Sequence, residues 1–188
     1  MVARWSRVRI IAGDWRGRKL VAPKGDLTRP TSDRTRETLF SMLTSRLGSF
    51  ADISVVDLFA GSGALGLEAL SRGAASCLFV EQESDAVKAI RANIESLEAR
   101  TRSQVQQGSV MGLGPAKVPH DLIVLDPPYD TGAGQVALDR LARLGWIGSA
   151  TWIALETRKD EDVTVKALDI ESERVVGKAK LTLLRLKS

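Results

Sequence analysis

The chain has 188 residues, 44% of them hydrophobic and 27% charged, with a formal net charge of +4 and a single cysteine. That length fits one domain with a full core and a small appendage. A disulfide framework is excluded, and with no run of 18 apolar residues so is a membrane-spanning helix. No apolar stretch follows the N-terminal arginines, so no secretory signal is expected and the protein is expected in the cytoplasm. The charge is uneven: residues 1–46 hold 11 Lys/Arg against 4 Asp/Glu, and the rest hold 16 against 19, which gives +7 and −3. A basic front end on a mildly acidic body suits a polyanion-binding appendage, with a solvated basic face as the alternative.

Two short strands are predicted over 9–12 and 18–22, joined by Gly13-Asp14-Trp15-Arg16-Gly17 as a hairpin loop. Trp15 beside Arg16, Arg18 and Lys19 offers a stacking surface next to phosphate-binding charge, as single-stranded RNA binders do. The same tryptophan equally suits packing of the hairpin onto the body. Pro30 disfavours a helical Arg29, and Thr31, Ser32 or Asp33 can cap a helix whose apolar face is Thr35, Leu39, Met42, Leu43 and Leu47. Arg34, Arg36 and Glu37 fall elsewhere on that wheel, and Gly48 follows the helix.

A strand over 53–58, a glycine turn and a helix over 63–72 then read as the first unit of an open α/β nucleotide-binding sheet. The turn is Asp57-Leu58-Phe59-Ala60-Gly61-Ser62-Gly63, and Gly66 completes a G-x-G-x-x-G pattern that also fits dinucleotides. Asp57 helps to separate this reading from S-adenosylmethionine, with a nucleotide-free structural turn as a third alternative. A pyrophosphate at the helix N-terminus would be repelled by that carboxylate, whereas S-adenosylmethionine (SAM) is phosphate-free and carries a cationic amine and sulfonium. Glu81 closes a second strand over 76–81, where a carboxylate can accept from both ribose hydroxyls. Ala86, Ile90, Ile94 and Leu97 mark the next helix, and 104–107 a short strand. Ser109 follows where many methyltransferases place an Asp or Asn for the adenine amine.

The run 121–126 is the most strandlike in the chain and breaks into Pro127-Pro128-Tyr129-Asp130. Two prolines remove two backbone donors, so the turn presents acceptors: carbonyls and the Asp126 carboxylate. Such acceptors can bind both hydrogens of an amine on a planar base and aim its lone pair at a methyl group. Tyr129 can stack on that base. A helix over 136–144, a strand over 151–156, and closing strands over 163–165, 173–176 and 180–187 around a hairpin at Val176-Gly177 complete the pattern. The rivals are an adenine-N6 methyltransferase, which the same tetrapeptide serves, and a non-catalytic RNA-binding module. An NAD-dependent oxidoreductase lacks acid–base residues, and a protein-glutamine methyltransferase usually has Asn at the Asp126 position.

Arg9-Ile10-Ile11-Ala12-Gly13 with Gly17-Arg18-Lys19-Leu20, the stretch Arg29-Pro30-Thr31-Ser32-Asp33-Arg34-Thr35-Arg36-Glu37-Thr38-Leu39-Phe40, the glycine turn and Asp126-Pro127-Pro128-Tyr129 together resemble the bacterial RsmD family. The resemblance implies a class I SAM-dependent methyltransferase: a Rossmann-like α/β fold whose seven-stranded, mostly parallel sheet carries helices on both faces. It also implies methylation of guanine N2 in 16S ribosomal RNA, S-adenosylhomocysteine as product, and no metal. An RNA-binding extension over 1–48 and a catalytic domain over 49–188 follow from it. RNA would meet Trp15, Arg16, Arg18, Lys19, Arg29, Arg34 and Arg36. Asp57, Phe59, Ala60, Gly61, Ser62, Gly63, Glu81, Ser109 and Asp126 would hold SAM. Asp126, Pro127, Pro128 and Tyr129 would be catalytic, with Asp126 and the Pro127 carbonyl orienting the amine and Tyr129 stacking on the base. The expected partner is the small subunit, assembling or assembled, met by a monomer away from any membrane.

Overall fold

Ser32 starts the first helix, its hydroxyl accepting from the Thr35 N–H at 3.1 Å, and Gly48 ends it with a positive φ of 73°. The computed structural model describes residues 8–23 and 32–188, so the expected contribution of Arg29, and the capping option at Thr31, lie outside the described residues. Among the described residues there are four α-helices, α1 (Asp33–Leu47), α2 (Ala64–Ser71), α3 (Ser84–Ser96) and α4 (Ala133–Arg143), and seven strands. These are β1 (Ser54–Leu58), β2 (Ser76–Glu81), β3 (Ser103–Gln107), β4 (Leu122–Leu125), β5 (Trp152–Arg158), β6 (Leu168–Val176) and β7 (Ala179–Leu186). They form one sheet in the order β3-β2-β1-β4-β5-β7-β6, with β7 antiparallel to both neighbours. This is the Rossmann-like, mostly parallel α/β architecture expected from the sequence.

Strands β1 and β4 are buried on both faces, which is why β4 is a continuous apolar run and β1 is apolar but for Ser54 and the buried Asp57. One face packs in a cluster with α1, α2 and α3 through Leu43, Leu67, Phe79, Ile90 and Val124. The other packs with α4 through Leu58, Ile123, Leu138, Leu141 and Leu155. Strand order reverses between β1 and β4, and the carboxyl ends at such a reversal form the ligand crevice of open α/β sheets. Gly66 allows α2 to lie close to β2: a β-carbon there would come 2.5 Å from Phe79 Cε1 and 2.6 Å from Cys77 Sγ.

Three expected strands, 9–12, 18–22 and 163–165, take another form. The front hairpin closes through the pair Arg9–Lys19, with Ile10 and Arg18 bonded at 2.9 Å, yet the Ile11 and Ala12 N–H groups do not bond across it. They donate instead to the Glu68 carboxylate on α2, at 2.8 and 3.0 Å, so the donors that would extend a ladder are spent on a helix. Residues 163–165 are not a strand and lie outside the sheet. Val163 and Val165 are buried in the α4-side cluster, and Gln135 pins the segment through the Asp162 carbonyl and the Thr164 N–H.

The hairpin and α1 share one hydrophobic cluster with the sheet: Val8, Ile10, Leu20, Leu39 and Phe40 lie with Val55, Leu67 and Phe79. Arg36, expected elsewhere on the wheel, falls with Leu39, Phe40 and Leu43 on the buried stripe, at the spacing that places side chains on one helix face. Its guanidinium is 0% exposed, donates to Asp33 Oδ1 and the Arg9 carbonyl at 2.7 Å each, and lies 3.8 Å from Glu68. Burial lowers its pKa from the ordinary arginine value, and Glu68 and Asp33 oppose that shift. The expectation that Arg36 meets RNA phosphate is therefore corrected: the residue is an internal counter-ion.

Candidate active site

The glycine turn leaves β1 through two left-handed residues, Phe59 at φ 56° and Gly61 at φ 57°, and Gly63 enters α2 at φ 81°. Gly63 has no side chain to cap the helix, and Asp57 supplies the acceptor from the strand below, its Oδ2 taking the Gly66 N–H at 2.9 Å. Ala60 donates to the Val80 carbonyl at 3.2 Å and Gly63 to the Ala60 carbonyl at 2.7 Å. Glu81, at the end of β2, accepts from the Gly61 N–H at 2.7 Å and the Glu83 N–H at 2.9 Å. Strand-end spacing thus brings Asp57, Gly61, Gly63 and Glu81 together in space. Ser62 is anchored from behind, its carbonyl accepting from Asn93 Nδ2 at 2.9 Å.

Asp57 is 1% exposed, so its charge lies beneath the loop and not on its surface. Burial pushes its carboxyl well above the usual range, the Gly66 N–H pulls it back, and the charges of Asp126 and Glu81 push it further up. A folded-state pKa above the unfolded one means the native protein holds the proton longer. Stability is then lost as pH rises from the ordinary carboxylate range through the raised value. Asp57→Asn removes that loss while its amide oxygen still accepts from Gly66. The ligand-free variant is expected to melt higher than wild type near neutral pH, with a flatter pH dependence, and to bind SAM about 10–100-fold more weakly, the worth of a hydrogen bond to a charged group. Scanning calorimetry across pH and titration with SAM check both halves.

Asp126 is half-exposed at the end of β4, next to β1 in the sheet, where Leu58 pairs with Leu125. Pro127 is buried against the start of α4, and a β-carbon on Gly134 would come 2.9 Å from its Cγ. The Pro128 carbonyl accepts from Thr131 Oγ1 at 2.8 Å, so its place in the turn is structural. The Tyr129 hydroxyl donates to Glu156 Oε1 at 2.8 Å. Ser109 stands beyond β3, beside the Glu81 carbonyl that accepts from Gly108, and its hydroxyl accepts from the Met111 N–H at 3.2 Å.

The basic residues are more dispersed. Arg16, Arg18, Lys19 and Arg34 are exposed, with Arg18 Nη2 also donating to the Ser96 carbonyl at 2.6 Å. Trp15 packs against the core, and the Arg102 guanidinium lies 5.1 Å over its ring, so one ring face is covered by the protein itself. Sequence reasoning missed Asn93, Glu68 and Glu156. The first two are spaced like ordinary helical residues, while Glu156 had one signal, an acidic residue ending an apolar strand as Glu81 does. Among the described residues no group of three or more His, Cys, Asp and Glu side chains is arranged to hold a metal.

A family model described as conserved hypothetical protein 95 matches residues 8–185. Ribosomal RNA small subunit methyltransferase D of Escherichia coli K12 is 36% identical over 173 residues, covering 91% of this chain and 86% of its own. The protein of the same name from Haemophilus influenzae is 35% identical, covering 90% and 89%. A solved structure described as putative methyltransferase yhhF from Escherichia coli superposes with a TM-score of 0.83 at 35% identity, covering 96% of this chain and 98% of that one. The matched span holds the front hairpin, the glycine turn and the Asp126-Pro127-Pro128-Tyr129 turn alike, and the chain belongs to the ribosomal RNA small subunit methyltransferase D family.

Proposed function

We propose that this protein transfers a methyl group from SAM to the exocyclic N2 amine of a guanine in 16S ribosomal RNA, acting as a monomer on the assembling or assembled small subunit. The observation that carries the reading is the acceptor turn 126–129 beside the glycine turn, at the carboxyl ends of neighbouring strands β4 and β1. The donor set suits SAM: a carboxylate under the loop and Glu81 at its rim favour a cationic ligand with ribose hydroxyls. Bound SAM supplies an electrophilic methyl on a sulfonium that leaves as a neutral thioether. Asp57 provides the negative charge beneath the methionine end, Phe59 to Gly63 the backbone rim, Glu81 the ribose acceptors, and Ser109 the adenine side.

Asp126 and the Pro127 carbonyl accept the two N2 hydrogens, which draws the nitrogen towards tetrahedral geometry and points its lone pair at the methyl. Tyr129 stacks on the base, worth about 1–3 kcal/mol by the measure of base–aromatic pairs. The proton shed after transfer leaves through the half-exposed Asp126 to solvent. Mass spectrometry of 16S rRNA from a deletion strain tests the whole: one N2-methylguanosine is expected to disappear. An unchanged guanine profile would defeat the proposal, and a missing N6-methyladenosine would favour the adenine alternative.

Residues 1–48 deliver RNA through Arg16, Arg18, Lys19 and Arg34. Arg16 and Lys19 are the cleaner pair to remove, since Arg18 also holds the Ser96 carbonyl. The double alanine variant is expected to bind RNA more weakly, to lower the log–log salt slope by about 0.7 per lost single-strand contact, and to leave SAM binding unchanged. Filter binding over a salt series reads this directly. Wild-type affinity and slope would place RNA elsewhere.

A further inference from the structure

Asp126 and Pro127 serve any planar amine, so neither separates guanine from adenine, and the selecting group must stand next to them. Leu125 pairs with Leu155 across the parallel strands β4 and β5. Asp126 and Glu156 are therefore neighbours one step further on, leaving the sheet on the same face. Glu156 is 5% exposed, and the Tyr129 hydroxyl donates to its Oε1 at 2.8 Å, which fixes the carboxylate at the edge of the ring on which the base stacks. Pro127, Pro128, Tyr129, Glu156, Thr157 and Glu161 line a shallow depression at this point. Along β5 Ala154 packs in the cluster of α1, α2 and α3 and Leu155 in that of α4, so Glu156 leaves the sheet on the side of α1, α2 and α3.

We propose that Glu156 accepts the N1–H of the target base and thereby selects guanine over adenine, an inference that rests on the methyl-transfer reading above. Guanine presents N1–H and N2–H side by side, two donors facing two neighbouring acceptors, Glu156 and Asp126. Adenine presents its amine beside an unprotonated N1, whose lone pair would face the Glu156 carboxylate with nothing to share. A site that hydrogen-bonds a substrate donor rejects the analogue lacking it far more strongly than an apolar pocket rejects a missing methylene, because its own buried group is left unpaired. Tyr129 then has two duties: its ring carries the base and its hydroxyl aims the residue that reads it.

The test uses the full chain and a synthetic RNA carrying the mapped target position as guanine or as 2-aminopurine, which keeps the N2 amine and lacks N1–H. Wild type is expected to prefer guanine by roughly 100-fold or more in kcat/KM. In Glu156→Gln the amide can donate to the bare N1 of 2-aminopurine, and the preference is expected to fall below about tenfold, with SAM affinity unchanged by calorimetry. A Glu156→Gln enzyme as selective as wild type would overturn the proposal, as would a wild type that uses both bases alike. Should the amide variant not fold, Glu156→Asp withdraws the carboxylate by one methylene and is expected to lower the same ratio; an unchanged ratio there is equally fatal. Failure of the methyl-transfer reading looks different: wild type then methylates neither RNA.

Discussion

Replacing Asp126 by alanine is expected to lower kcat by about 100–1,000-fold, the loss seen when one preorganised group is taken from a transition state. SAM affinity should change little. In the proposed mechanism the acceptor acts on the incoming amine, so the loss is expected in the chemical step and not in cofactor binding. Asp126 also raises the pKa of Asp57, so its removal makes that buried carboxyl easier to ionise and in part offsets any weakening of the cationic ligand. Single-turnover methylation with tritiated SAM, beside calorimetric titration of the same variant, separates the two quantities. Near-normal turnover would remove Asp126 from the chemistry.

The second large effect is on stability. Glu68 is 0% exposed and accepts from the Ile11 N–H, the Ala12 N–H and Arg72 Nε, with the buried Arg36 guanidinium 3.8 Å away. Glu68→Ala leaves two backbone donors and a buried cation without their shared acceptor. Breaking a buried charge network from one side costs about 3–5 kcal/mol, and for a chain of this size that lowers the melting temperature by about 10 °C. Circular dichroism melts check the magnitude. Cutting the exposed pair Lys88–Asp85, on the surface of α3, is expected to leave the melting curve unchanged.

Much of the sheet was legible because its punctuation is local. Strand β2 runs Ser76–Glu81 as read, since residues of turn type precede it and an acidic residue closes it. Ser32 and Gly48 bound α1 by cap chemistry that a sequence displays openly. The break of β4 at Leu125 was equally plain, because Pro127 and Pro128 follow within three residues. What could not be read is what depends on partners far away in the chain. Arg36 looked like a surface cation because its counter-ion Glu68 stands on α2 and its carbonyl partner is Arg9. The 9–12 strand looked ladder-forming because nothing local announces that Glu68 will claim its donors. Glu156 gains its meaning only from the register that sets it beside Asp126.

The attachment of the front end has an evolutionary corollary. Besides Glu68, Ser71 accepts from the Asp14 and Trp15 N–H groups and donates to the Ala12 carbonyl, while Asn93 exchanges two hydrogen bonds with Val21 and a third with Ser62 of the glycine turn. The front hairpin thus adds to its own few backbone pairs a larger set of bonds to α2 and α3, the helices on either side of Glu81, and is moulded on them. Such an arm is not a transplantable cassette. A lineage that redirected this enzyme to another RNA by exchanging its hairpin would have to inherit Glu68, Ser71 and Asn93 with it. The loop tip is free to drift, since a β-carbon at Gly17 meets nothing within 4 Å, whereas one at Gly13 would run into the Ser71 carbonyl. New specificity is therefore expected to arise at the tip, by substitution around Arg16, and not by wholesale replacement of the base.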